Sequence, residues 1–300
     1  MVSNGKSSQV RLSVVIVNYL SYEETIEYAK NLLKQKGISL SVVIVDNDSP
    51  NNSLKVLSDF ANLRKNIHVI DSGKNGGYSY GNNVGIKYVI QNDLSEYVIV
   101  SNNDIDIETN CFLLHLVMKF NRLPEDKAFV SPIMYDENGK SRVAARKLPT
   151  LTSEIIHSSL ILDKFFGNKA DYRIIESCKY QKVDCVPGAF FMGKTGVFEE
   201  IGFFDEHTFL YGEERILGYK VKKKGYSNYL INELKFYHEQ SKTINNVFNK
   251  LGQLKLRNKN KIYYWKEYKN VNLAKLLIVK LFLKISEFEF FLLGVLKNKL

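Results

Sequence analysis

The chain has 300 residues, 45% of them hydrophobic and 25% charged, which excludes a disordered or fibrous protein and suits one large or two modest globular domains. A formal net charge of +10 points to an acidic partner, whether nucleic acid, an anionic membrane or a phosphorylated substrate. The charge is uneven: residues 215–300 hold 19 Lys/Arg against five Asp/Glu, so the first 214 residues are net negative. Lys outnumbers Arg 34 to eight. Base-edge readers favour Arg, whereas Lys suits phosphates and lipid headgroups, so no nucleic-acid partner is expected. Three cysteines without CxxC spacing read as buried thiols in a reducing compartment. The polar start lacks a signal peptide's apolar segment, and no stretch approaches the roughly 18 apolar residues of a membrane span. A cytoplasmic protein is expected.

Residues 12–17 (LSVVIV) are a β-branched run that predicts a buried strand. Residues 22–36 follow with Ile26, Ala29, Leu32 and Leu33 on one helical face and stop at Gly37. A second strand is expected at 41–45, then a polar turn over 46–52 and a helix over 54–63. A third strand at 67–70 leads to a glycine-rich turn at 74–77, a helix over 82–91 and a fourth strand at 97–100. Strands alternating with helices imply parallel βαβ units, whose ligands bind at the carboxyl ends of the strands. Four polar loops meet at that edge: Asn18, residues 46–49, the glycines of 74–77, and residues 102–104. Beyond residue 110 the pattern loosens. A helix near 111–121, a strand at 128–132, a mixed region to 182, a short helix at 195–201 and a helix over 213–224 are expected. Residues 1–245 read as one domain and 246–300 as a basic, amphipathic helical extension.

Each motif alone has a plain structural explanation. Residues 75–85 lack GxGxxG spacing and are either a helix-capping turn or a loop that lets backbone approach a nucleotide. Asn102, Asn103 and Asp104 form either a turn or a hard oxygen ligand for Mg²⁺ or Mn²⁺ on a diphosphate, with Asp106 a second choice. Glu213 and Glu214 suit the positive end of a helix, yet the apolar residues 209–211 before them would desolvate a carboxylate towards general-base use. His238 alone reads as a surface or hydrogen-bonded histidine. In the tail, residues 249–269 interleave basic residues with Tyr263, Tyr264 and Trp265. The apolar stretch 273–296 gathers Lys280, Lys284 and Glu287 on one side. It reads as a buried bundle helix, a dimer helix, or an interfacial helix on an anionic leaflet.

Taken in order, these segments resemble the family 2 inverting glycosyltransferases of GT-A fold, especially a bacterial rhamnosyltransferase-like branch. Residues 13–19 (SVVIVNY) look like the opening strand, 45–49 (VDNDS) like the nucleotide-base loop, and 75–85 (NGGYSYGNNVG) like the glycine-rich stretch. Residues 100–104 (VSNND) stand where the DXD metal motif belongs, and 188–214 parallel the acceptor-side segment ending in an acidic pair. The resemblance implies a nucleotide-diphospho-sugar transferase fold with a mixed, largely parallel sheet and a C-terminal helical extension. It implies that Asp46 contacts base or ribose, that Asn18, Gly77, Asn82 and Asn103 line the donor pocket, and that Asp104 and His238 hold Mn²⁺ or Mg²⁺. Glu214 would be the general base, with Glu213 its structural or acceptor-binding neighbour. The two carboxylates remain interchangeable in that role. Two departures stand out: Asn102 replaces the first DXD aspartate, and the base position is Glu rather than the commoner Asp.

The implied reaction moves a hexose or deoxyhexose, with inversion, from a UDP- or dTDP-sugar to a hydroxyl of a lipid-linked saccharide in surface polysaccharide synthesis. The enzyme would sit at the inner face of the membrane, alone or as a homodimer. The rival readings are a nucleic-acid-binding protein using the basic, aromatic tail, and a sugar nucleotidyltransferase.

Overall fold

The computed structural model describes residues 9–136, 139, 141, 145–167, 172, 174–175, 177–238 and 250–297. The first half alternates as expected: β1 (Arg11–Asn18), α1 (Tyr22–Leu32), β2 (Ser39–Asp46), α2 (Ser53–Asn62), β3 (Ile67–Asp71), α3 (Gly77–Gln91) and β4 (Tyr97–Ser101). Next come β5 (Ile105–Asp106), α4 (Phe112–Asn121), β6 (Lys127–Tyr135), α5 (Leu151–Ser158) and α6 (Leu160–Phe166). They are followed by β7 (Tyr180–Val183), β8 (Phe190–Lys194), α7 (Thr195–Glu200), α8 (Glu213–Lys223) and β9 (Ser227–His238). The C-terminal extension comprises α9 (Lys250–Tyr263), a π-helical turn (Tyr264–Tyr268) and α10 (Leu273–Lys297). The expected domain boundary at residues 245–246 lies outside the described residues.

Nine strands form one mixed sheet in the order β3-β2-β1-β4-β8-β6-β9-β5, with β7 also paired to β9. Strands β1 to β4 are parallel, and β8 runs antiparallel between β4 and β6. The strand order reverses between β1 and β4, and such a reversal opens a crevice at the carboxyl ends. Both faces of this sheet are covered, which is why its strands read as continuous apolar runs. Leu12, Val14, Ile16, Val42 and Ile44 face one buried cluster, while Val15, Val43, Val45, Val98 and Val100 face the other.

Helix α3 starts at Gly77, one and a half turns before the expected Asn82. The glycines that obscure it sit where helix meets sheet: a Cβ at Gly81 would stand 2.9 Å from Val17, and one at Gly85 would collide with Val15. Their small size lets α3 lie directly on β1. Cys185 is buried as expected, but Cys178 is exposed.

The extension is built into the same body. Ile216 of α8 packs with Tyr264, Trp265, Leu276, Val279 and Leu283 in a buried cluster. With their rings inside, Tyr264 and Trp265 are not available to stack on bases, the contact the nucleic-acid reading needs. Beneath them Glu154 of α5 is buried, 2.6 Å from Arg215 of α8 and 3.1 Å from Lys261 of α9, and it accepts a hydrogen bond from Trp265 Nε1 at 3.1 Å. Burial alone would raise this carboxyl, but Arg215 and Lys261 outweigh it and hold it below the ordinary range. Removing one partner from a buried charge cluster strands the others. Glu154→Ala is therefore expected to cost about 3–5 kcal/mol in urea unfolding, while the exposed Arg11–Asp93 pair should cost less than about 1 kcal/mol when broken.

Candidate active site

At the carboxyl ends of β1 and β2, Asn18 stands opposite Asp46 in the parallel register. Its Nδ2 donates to Asp46 Oδ1 at 2.7 Å, and Asp46 also accepts from the Ser49 hydroxyl (2.8 Å) and backbone N–H (3.0 Å). Thr25 of α1 donates to Asn18 Oδ1 at 2.8 Å, and Asn103 Nδ2 donates to Thr25 Oγ1 and Ser21 Oγ, both at 2.9 Å. One continuous network thus ties Asp46, Asn18 and Asn103 together. Thr25, which carries no motif signal, and Ser49, the last residue of the 45–49 loop, are its connectors. Asn82 is buried on α3; its Nδ2 donates to the Tyr78 carbonyl, and its Oδ1 has no hydrogen-bond partner.

Gly77 opens α3, and its carbonyl accepts from Asn47 Nδ2, beside Asp46, at 3.2 Å. It has φ of +80°, and a Cβ there would collide with the Phe209 backbone, whose carbonyl accepts from Tyr78 N–H at 2.8 Å. The glycine-rich segment therefore braces the loop that leads into α8. Tyr78 reinforces this by donating its hydroxyl to the Gly188 carbonyl at 2.5 Å.

Asp104 lies in the turn between β4 and β5. Its side chain is brought to His238, at the far end of β9, by the antiparallel pairing of Ile105 with His238. His238 Nε2 is 3.1 Å from Asp104 Oδ1, and Asn102 Nδ2 is 3.4 Å from the same nitrogen. Beyond His238, neither oxygen of Asp104 has a hydrogen-bond donor, and both are buried, which leaves the carboxylate room for a further electrostatic partner. A carboxylate and an imidazole of this kind fit a divalent cation such as Mn²⁺ or Mg²⁺. Among the described residues no cluster of three or more His, Cys, Asp or Glu could hold a metal, so a cation at Asp104 and His238 would need further ligands from outside this pair. Asp106 is exposed and outside the pair.

Glu213 and Glu214 open α8 behind Gly212, which has φ of +91°. Tyr211, at φ +72°, adopts a backbone conformation that costs a non-glycine residue about 1–3 kcal/mol. The extension holds that turn: Asn260 Nδ2 donates to the carbonyls of Leu210 (2.9 Å) and Tyr211 (2.7 Å), Tyr211 donates its hydroxyl to Gln253 (3.0 Å), and Arg257 lies 4.3 Å over the Tyr211 ring. Gln253, Arg257 and Asn260 share one face of α9 by helical spacing. Gly188 abuts Glu214, since a Cβ there would stand 2.9 Å from its Oε1. The next residue, Ala189, accepts a hydrogen bond from Asn102 N–H at 2.9 Å. Two consecutive residues thus separate the Glu214 carboxylate from the Asp104 loop.

A family model described as Glycosyl transferase family 2 matches residues 13–202, well over half of the chain. The chain belongs to glycosyl transferase family 2. A curated relative, the low-salt glycan biosynthesis hexosyltransferase Agl10 of Haloferax volcanii, is 29% identical over 217 residues, covering 71% of this chain and 62% of its own length. Among solved structures, the mannosyltransferase PcManGT of Pyrobaculum calidifontis, in complex with GDP-Man and Mn²⁺, matches 93% of this chain and 74% of its own (TM-score 0.59, 13% identity). GalNAc-T7 with UDP, GalNAc and Mn²⁺ matches 88% of this chain and 49% of its own (TM-score 0.59, 16% identity). S. aureus TarS matches 94% and 72% (TM-score 0.53, 15% identity). These structural likenesses show the fold, which is the GT-A fold.

In this family 2 glycosyltransferase the two acidic residues differ in environment. Glu213 is buried with Oε2 unpartnered; burial first, and the neighbouring Glu214 charge second, push its carboxyl up to about 8. A carboxyl that holds its proton at neutral pH is a hydrogen-bond donor rather than a base. Glu214 is only half-buried. Because the Glu213 carboxyl binds its proton more tightly when folded than when unfolded, it makes the protein less stable as pH rises from about 4.5 to about 8. Glu213→Gln should match wild type in thermal unfolding at the acidic end of that window and exceed it at the alkaline end. Parallel melting curves across the window would contradict the burial argument.

Proposed function

We propose that this enzyme transfers a hexosyl or deoxyhexosyl group from a UDP- or dTDP-sugar, with inversion, to a hydroxyl of a lipid-linked saccharide in surface polysaccharide synthesis, at the inner face of the membrane. The observation that carries the reading is the Asp104 carboxylate, which follows β4 beside the point where the strand order reverses, is buried without a hydrogen bond and has only His238 beside it at 3.1 Å. In support, two solved structures of the same fold were obtained with nucleotide ligands and Mn²⁺, and the curated relative is a hexosyltransferase of glycan biosynthesis.

Asp104 and His238 would hold Mn²⁺ or Mg²⁺, which when bound supplies positive charge against the diphosphate of the donor. Asp46, fixed by Asn18 and Ser49, presents a carboxylate at the end of β2 where the nucleoside would sit, and the buried Oδ1 of Asn82 on α3 is an acceptor without a hydrogen bond. Glu214 takes the proton of the acceptor hydroxyl as that oxygen attacks the anomeric carbon and the nucleoside diphosphate leaves. A single displacement of this kind inverts the anomeric centre without a sugar bound to the enzyme, unlike the two-step route of retaining hydrolases. Protonated Glu213 stands beside the base as a donor to the acceptor sugar. Gly188 gives the Glu214 side chain its place, so a methyl group there displaces the base.

Turnover of UDP- and dTDP-sugars with Mn²⁺ tests these roles. Asp104→Ala should lose about 100-fold or more and no longer respond to added Mn²⁺, and Glu214→Gln should lose about 10²–10⁴-fold with donor binding retained. Gly188→Ala should lower kcat more than it raises KM. Wild-type rates in both Asp104→Ala and Glu214→Gln would overturn the assignment.

A further inference from the structure

The entry into α8 gathers hydrogen-bond donors that have no acceptor. Glu213 Oε2 is buried without a partner, and its carboxyl holds a proton at neutral pH, so it offers an O–H two residues beyond Tyr211. The Arg257 guanidinium lies 4.3 Å over the Tyr211 ring. Arg257 is exposed and forms no ion pair or hydrogen bond among the described residues. Its helix is nevertheless fixed on either side of it, by Gln253 on the Tyr211 hydroxyl and by Asn260 on the Leu210 and Tyr211 carbonyls. The charges of Arg146 and Arg257 both reach Glu213 and favour its ionised form, although burial outweighs them. Arg146 belongs to a separate segment, bridged to Cys185, three residues before the Gly188 that abuts Glu214. Other acids near this turn are engaged: Glu154 by Arg215 and Lys261, Asp205 by Tyr263 and Tyr268, and Glu287 by Lys284 and Asn258. Glu214 forms no ion pair with Arg257.

We propose that Arg257 and the Glu213 carboxyl form an oxyanion subsite beside Glu214, which takes a phosphoryl or carboxylate group of the acceptor. A guanidinium presents its N–H groups in a planar fork that meets such oxygens two at a time. The neutral carboxyl adds an O–H to the same set of donors. A neutral sugar hydroxyl would satisfy Glu213 but leave the cation without a counter-charge. The acceptor is therefore anionic close to the hydroxyl that receives the sugar. Only the assignment of the anion to an acceptor rests on the transfer reaction proposed above.

Calorimetric titration of the full chain tests the subsite, with EDTA present and nucleotide absent so that no cation assists at Asp104. The probes are hexyl diphosphate, hexyl glucuronide and the neutral hexyl glucoside. Wild type should bind at least one anionic probe about tenfold or more tighter than the glucoside. The tighter anion names the source, either the diphosphate that joins a saccharide to its lipid or the carboxylate of an acidic sugar. Arg257→Gln should weaken that anion at least about tenfold and leave the glucoside unchanged, and Arg257→Lys should recover part of the loss. A role in packing Tyr211 alone would weaken charged and neutral probes alike. Should Arg257→Gln fail to fold, phenylglyoxal labelling of Arg257 in wild type, read by mass spectrometry, replaces it: the anion should slow labelling at least about fivefold. No anion binding by wild type, equal binding of the glucoside, full anion affinity in Arg257→Gln, or labelling that the anion leaves unchanged would overturn the proposal. Donor-sugar hydrolysis with Mn²⁺, measured on the same wild-type preparation, separates the two claims. Anion binding without hydrolysis faults the reaction alone, and hydrolysis without anion binding faults the subsite alone.

Discussion

A single short pairing governs the site. Ile105 meets His238 across two residues of antiparallel strand, and that contact brings the end of β9 back to the loop that follows β4. Without it, Asp104 would be one more turn aspartate at a strand end, and His238 one more histidine on an edge strand. With it, a buried carboxylate meets an imidazole nitrogen 3.1 Å away and has no other side-chain partner. The rest of the sheet serves this placement. β9 reaches the site because it runs beside β6 and carries β7 and β5 on its other edge, and β8 delivers Gly188 and Ala189 to the same end.

The acceptor side is governed by a different constraint, the strained entry into α8. Tyr211 and Gly212 both hold positive φ, and such a turn persists only when its surroundings fix it. Three residues of α9 do so, Gln253, Arg257 and Asn260, and the Gly77–Phe209 approach fixes it from the α3 side. The basic extension is therefore part of what holds the entry into α8, through its inner face. The +10 of the sequence thus divides into a structural share, such as Lys261 and Arg215 on Glu154, and a surface share of exposed lysines along α8, α9 and α10.

Much of the donor half was legible in the sequence because its physics is local. β-branched runs buried on both faces announce β1, β2 and β4 without any long-range information. Polar residues at three successive strand ends locate the crevice, and the Asn18–Asp46 contact follows from the parallel register. Helix α3 was read short because glycine disfavours helix intrinsically, while here close contact with β1 overrides propensity. β9 was missed because its polar positions fall where the strand passes the sheet edge, which blurs the period-two pattern. α5, α6 and Glu154 carry no motif, and nothing in residues 151–166 announces a buried carboxylate. On α9 the spacing of Gln253, Arg257 and Asn260 was visible as a helical face, but only the fold reveals that it faces Tyr211.

The central claim is that Asp104 and His238 make an incomplete cation site which the donor's phosphates finish. Binding of Mn²⁺ to the wild-type protein, followed by its paramagnetic resonance signal with and without UDP or dTDP, addresses this most directly. Two protein ligands alone should bind Mn²⁺ weakly, and the nucleotide should tighten binding by at least tenfold. Equal Mn²⁺ affinity in the presence and absence of either nucleotide would contradict the account.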